Sequence, residues 1–153
     1  MIVVLNVGNT NLNLGVIRDG DIASTHHAPT ASVATPADLN RMFEELLQED
    51  GASLSDVERL IVSSVVPDVT DALLEMCAQH GISLLIGDAT TIPIEILVDY
   101  PGGVGNDRLV NAFAAQRLHG TPAIVIDMGT ATTFDVVNAD GAFIGGAIAA
   151  GPD

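Results

Sequence analysis

The chain has 153 residues, 48% of them hydrophobic, so it is long enough for a domain with a real core, and the composition argues against disorder. Its 20 acidic and 5 basic side chains give a net charge of −15, which repels phosphate backbones and anionic lipid and argues against nucleic-acid or membrane-surface partners. There is no lysine, which excludes a catalytic or P-loop lysine, and Cys77 is the only cysteine, which excludes an intramolecular disulfide.

Residues 2–7 form a short apolar run with no charged segment before it, so a strand is expected there and a signal peptide is not. No apolar run approaches the roughly 20 residues of a membrane helix, and the reading is a soluble, cytoplasmic protein. Gly8-Asn9-Thr10-Asn11 is a turn, Leu12, Leu14 and Val16 alternate as a strand, and Asp19-Gly20 is a hairpin signal before a third strand at 21–27. Thr35 is an N-cap with Pro36 at the first helical position, and Leu39, Met42, Phe43, Leu46 and Leu47 share one face of a helix over 36–49. Glu44, Glu45, Glu49 and Asp50 read as its solvated face.

A buried strand is expected over 57–66, a helix from Pro67 to about Gln79 ended by Gly81, and a strand over 82–86. Residues 87–106 read as loop, and 107–118 as a helix ended by Gly120. Strands follow at 123–126 and 133–137 around a turn at 127–132, and Asp140-Gly141 leads into a last strand from Phe143. The adjacent His26 and His27 point to opposite faces of a strand, so they read as exposed polar residues and not as a metal pair. Cys77 reads as a small core residue.

An internal repeat organises the chain. An offset of 121 carries Val4–Thr10 onto Val125–Ala131, and Asp19-Gly20 onto Asp140-Gly141. Each copy reads strand, Asx-x-Gly-polar turn, strand, Asp-Gly turn, strand. Two related domains are implied, a first over 1–119 and the beginning of a second over 120–153. The second copy offers three strands and none of the helices that cover the first. It is therefore expected to be incomplete, and to be covered by a partner chain or left poorly ordered.

Three segments carry chemistry. In Asn6–Asn11, Gly8 admits close approach of a phosphate, and Asn9, Thr10 and Asn11 offer donors. A polar hairpin turn would look the same. Asp127–Thr133 repeats the shape, with a carboxylate at the end of what reads as a buried strand, then three hydroxyls. If pseudo-symmetry sets the two loops against each other, they clamp a polyphosphate, with Asp127 on a cation. Gly103–Arg108 opens a helix, whose N-terminus attracts anions. Asp107 there is either an ordinary first-turn acid or a base that orients an alcohol for phosphoryl transfer, beside Arg108 for an anionic substrate.

These segments together resemble the type III pantothenate kinases, a family of the acetate and sugar kinase/Hsp70/actin superfamily. The first phosphate motif of the family falls on Asn6–Thr10, its Gly-x-Asp-Arg on Gly105–Arg108, and its Asp-x-Gly-Thr-Ala-Thr-Thr on Asp127–Thr133. Ser63–Pro67 and Gly145–Ile148 match as well. The resemblance implies an α/β fold of ribonuclease H-like (actin-like ATPase) type and ATP-dependent phosphorylation of pantothenate to 4'-phosphopantothenate, the first step towards coenzyme A. It implies Asp107 as general base, with Gly105, Arg108 and Tyr100 on pantothenate. Asn6, Gly8, Asn9, Thr10, Asn11, Gly129, Thr130 and Thr132 would serve ATP. Asp127 would hold a monovalent cation, potassium or ammonium, magnesium would accompany ATP, and the protein would be a homodimer.

Two departures stand out within the motifs. Asn6 replaces the family's Asp, and a neutral amide is a poorer ligand for a hard cation such as magnesium. Val98-Asp99-Tyr100-Pro101 replaces a Tyr-Asp-Asn-Pro loop, which shifts the aromatic contact to substrate. Two other readings follow: a non-catalytic or regulatory relative, or a kinase of the same superfamily acting on another small molecule.

Overall fold

A computed structural model describes residues 1–152. The contacts divide it into two compact units, one over Met1–Ile86 and one that begins at Gly87.

The first unit is a five-stranded sheet in the order β3-β2-β1-β4-β5. Its strands are β1 (Ile2–Val7), β2 (Asn11–Arg18), β3 (Asp21–Pro29), β4 (Arg59–Ser64) and β5 (Ser83–Ile86). The first three form an antiparallel meander, and β4 and β5 continue from β1 in parallel. The alternation in β1 and β2 puts Val3, Leu5, Val7, Leu12, Leu14 and Val16 on one face, and all six are buried. Helices α1 (Pro36–Glu49) and α2 (Pro67–His80) complete this core with Leu39, Phe43, Leu47, Leu73 and Met76.

Local chemistry sets the helix ends as the sequence predicts. The Thr35 side chain accepts from the Asp38 backbone N–H while Asp38 reaches back to the Thr35 N–H, a reciprocal capping box with Pro36 in the first turn. Gly81 closes α2 in the left-handed conformation, where a Cβ would be strained. The expected strand at 57–66 is shorter at both ends, because Leu54–Asp56 form a 3-10 turn before it and Pro67 opens α2 after it.

Two polar residues depart from expectation. The His26 side chain is only 9% exposed, with Nε2 2.8 Å from Asp50 Oδ2. Asp50 also accepts from the Ser24 hydroxyl at 2.6 Å, which, with His26, holds its carboxyl below the usual range. Asp50 thus ties β3 to the end of α1 instead of belonging to a solvated face. His27, on the opposite side of the strand, is exposed as expected and pairs with Asn13. Cys77 is buried in the core, and that burial pushes its thiol up to about 11.

The second unit has α3 (Asn106–His119) and an antiparallel sheet of β6 (Ala123–Met128), β7 (Ala131–Val137) and β8 (Phe143–Ala150) in that order. Leu109 and Ala112 of α3 pack with Val137, Phe143 and Ile94. Beyond the loop expected over 87–106, there is a 3-10 turn at Pro101–Gly103 and a bridge from Ile96 to Phe143.

The repeat is visible in the strands. The offset of 121 carries the ends of β1 onto the ends of β6. Pairing then slips by one residue: Val7 faces Leu12 in the first copy, whereas Met128 faces Thr132 in the second. The expected turn at 127–132 therefore shrinks to Gly129-Thr130, with Asp127 and Met128 in β6 and Ala131 and Thr132 in β7. No helix among the described residues is long and apolar enough to cross a membrane.

Candidate functional site

The first loop lies at the end of β1. The Gly8 N–H donates to the Asn11 carbonyl at 3.0 Å, which closes the turn and leaves Asn9 and Thr10 exposed at its tip. A Cβ at Gly8 would sit 3.1 Å from that same carbonyl oxygen, so a side chain there would be crowded. Thr30 braces the loop from outside the motif. Its hydroxyl donates to the Gly8 carbonyl at 2.8 Å and its N–H to the Thr10 carbonyl at 2.9 Å. Thr30 is a residue that sequence reasoning missed, because it lies beyond β3 with no motif around it. Asn6 is exposed one residue before the last of β1, beside Ser63 of β4.

The second loop, in the other unit, is one residue tighter. The Gly129 N–H donates to the Ala131 carbonyl at 3.0 Å, and Gly129 and Thr130 are exposed. The backbone of Gly151 approaches so closely that a Cβ would lie 2.2 Å from the Gly129 carbonyl oxygen. The expectation of a buried strand leading to Asp127 is overturned: Ile124, Ile126 and Met128 of β6 are exposed, and so is Asp127. Helix α3 packs on the face that carries Ala123, so Ile124, Ile126 and Met128 on the other face stay exposed, while Asp127 lies on the α3 side at the end of the strand. Asp127 is not isolated, since the Asn111 side-chain amide of α3 donates to its Oδ2 at 2.9 Å. An exposed carboxylate of this kind suits a hard cation that prefers oxygen ligands.

The third element is the start of α3. Gly105 is its N-cap, in extended backbone, and has no side chain to cap with. The first-turn N–H groups and the dipole therefore favour an anion there. Asp107 is half-buried in that turn, with Oδ1 accepting from the Arg108 N–H at 2.8 Å. The Arg108 side chain is 15% exposed, and its Nε donates to Asp135 Oδ1 at 2.7 Å. Asp135 has no exposure at all. Its burial raises its carboxyl above the usual range, Arg108 opposes that rise, and the charge of Asp107 adds to it.

Within the second unit, then, Gly105, Asp107 and Arg108 share a helix start with Asp135 below it, and Asn111 links the same helix to Asp127. Tyr100 caps the adjoining 3-10 turn and is 83% exposed. Asp135 is the second residue that motif reading missed. Its one signal was a carboxylate set among Phe134, Val136 and Val137 inside a strand, a costly place without a partner. No group of three or more His, Cys, Asp or Glu side chains gathers as a metal cage among the described residues.

Among known proteins, the type III pantothenate kinase of Thermomicrobium roseum is 38% identical over 153 residues, covering 99% of this chain and 59% of that protein. The type III pantothenate kinase of Geobacillus kaustophilus is 42% identical over 154 residues with the same coverage. The chain thus spans 59% of the length of these relatives. Solved structures of similar fold include the ethanolamine utilization protein EutJ of Carboxydothermus hydrogenoformans, with a TM-score of 0.58 at 16% identity over 99% of this chain and 52% of that one. Another is the Ppx/GppA family member of Aquifex aeolicus, with a TM-score of 0.51 at 13% identity over 98% of this chain and 51% of that one. These two speak for the fold alone, the α/β fold of actin-like ATPases and sugar kinases with its ribonuclease H-like sheet. The sequence profile of the type III pantothenate kinases matches residues 2–153, and the chain belongs to that family.

Proposed function

We propose that the chain serves ATP-dependent phosphorylation of pantothenate to 4'-phosphopantothenate, the first step of coenzyme A biosynthesis. The observation that carries this reading is the first turn of α3, where Asp107 and Arg108 sit together on a helix start that favours an anion. Asp107 accepts the proton of the substrate hydroxyl as the phosphoryl group arrives. Arg108 and the Gly105 backbone hold the pantothenate carboxylate, with Tyr100 at the margin. A loose phosphoryl-transfer transition state asks for positioning and charge neutralisation more than for a strong base.

The backbone and hydroxyls of Gly8, Asn9, Thr10, Asn11, Gly129, Thr130 and Thr132 serve the ATP phosphates. Asp127 would hold a potassium or ammonium ion, and Asn6 would stand beside the magnesium that accompanies ATP. Those cations supply positive charge that a chain with no lysine does not. We further propose ribonuclease H-like domains over 1–119 and from 120 onward, a homodimer, and a cytoplasmic location.

Asn6 favours a second reading, a non-catalytic relative that still binds the family's ligands, because an amide is a weaker magnesium ligand than a carboxylate. The test is ADP release with magnesium and potassium, with and without pantothenate, on this chain and on Asn6→Asp. Pantothenate-dependent release is the expected result, with the Asn6→Asp rate about tenfold higher or more. Silence from both proteins, with pantothenate binding retained, would replace the kinase by the non-catalytic reading.

A further inference from the structure

Asp135 is the one fully buried carboxylate among the described residues. An ionised carboxylate at such a depth is costly unless a cation and hydrogen bonds meet it. Arg108 meets it edge-on. Nε donates to Oδ1 at 2.7 Å, and Nη2 lies 2.6 Å from the same oxygen as an ion pair. The Thr133 hydroxyl lies 3.4 Å from Oδ2.

A guanidinium is planar, so fixing one edge fixes the whole group. Two further contacts constrain that plane. The Arg108 guanidinium stands over the Phe143 ring, 5.9 Å from its centre. Gly146 leaves the space, since a Cβ there would lie 2.9 Å from Nη2. Nη2 is itself buried and takes its charge contact from that same Asp135 oxygen.

We propose that Asp135 is a positioning residue: it clamps Arg108 through Nε and Nη2, so fixing the α3 first turn that carries Asp107. That the fixed turn serves pantothenate rests on the kinase reading, whereas the clamp does not. Arginine is required because a planar group held along one edge is fixed in orientation as well as in place. A lysine ammonium keeps the charge and loses the fork.

The experiment is residue-resolved amide exchange and pantothenate titration by NMR on this chain and on Asp135→Asn. The Leu109 N–H, which donates to the Gly105 carbonyl, reports the first turn of α3. In Asp135→Asn its exchange is expected to quicken roughly tenfold or more, while the amides of β1, β2 and β4 keep their rates. Unchanged exchange at Leu109 in the folded variant would overturn the clamp.

If Asp135→Asn does not fold, the double variant Arg108→Gln/Asp135→Asn leaves no unpaired buried charge and answers the same question. Slow exchange at Leu109 in that protein would also overturn the clamp, and quickened exchange would support it. Pantothenate is expected to shift the Gly105 amide and the Arg108 Nε–H signal, with affinity about tenfold weaker in Asp135→Asn. Equal affinity in the two proteins would overturn the role of the clamp in positioning the acceptor site. If pantothenate shifts nothing in any of these proteins, the kinase reading falls, and the clamp is still judged by exchange.

Discussion

The residues that carry the candidate site divide by how they could be read. Asp107 and Arg108 were legible because a short motif at a helix start names them together. Asp135 and Thr30 were not, because each acts through a contact between elements that lie far apart in sequence. Gly146 is an intermediate case: the sequence marks it as part of a motif, and only the structure gives the reason. A Cβ at this position would stand 1.8 Å from the Phe134 carbonyl oxygen and 2.9 Å from Arg108 Nη2. Backbone on one side leaves no flexible neighbour to give way. Gly146→Ala is therefore expected to destabilise the second unit by about 3 kcal/mol, the upper end of overpacking. Denaturant unfolding would check it, and a loss below about 0.5 kcal/mol would show that β7 and β8 part more easily than these distances allow.

At the scale of elements, the helices were the most legible, since Thr35-Pro36, Pro67, Gly81 and Gly120 are chemical stops and starts. The strand ends were less so. The 3-10 turn at Leu54–Asp56 and the slip at Gly129-Thr130 depend on pairing that no local pattern encodes. The Asp50 junction between β3 and α1 was invisible for the same reason, and it has a consequence in acid. Hydrogen bonds from Ser24 and His26 hold the Asp50 carboxyl below its ordinary value. A depressed acid stabilises the folded state above its unfolded pKa of about 3.9, and that stabilisation is lost as pH falls through the lower folded value. Asp50→Asn should thus cost stability at about pH 5, and the difference from the parent should shrink as pH falls below about 4. Urea titrations of both proteins across this range would show it. A difference that stays constant with pH would mean that the junction acts by shape and not by charge.

For the whole molecule, the repeat explains both what is covered and what is not. In the first unit, Val3, Leu5 and Val7 are 0%, 3% and 0% exposed beneath α1 and α2. The offset of 121 carries these three residues onto Ile124, Ile126 and Met128, which are 69%, 55% and 73% exposed. The same face of the same strand is thus a core in one copy and a surface in the other. A net charge of −15 keeps such a chain soluble by self-repulsion, and salt screens that repulsion. The exposed face should therefore bind an apolar dye such as anilinonaphthalene sulfonate, and association between chains should rise with salt. Replacing Ile124 and Ile126 together by Thr keeps β-branched residues in the strand while removing methyl groups from the face. That variant should retain its sheet, lose most of the dye signal, and stay dispersed at salt concentrations where the parent associates. Equal dye binding by the two proteins would place the apolar surface elsewhere, and the equivalence between the two copies would then stop at the backbone.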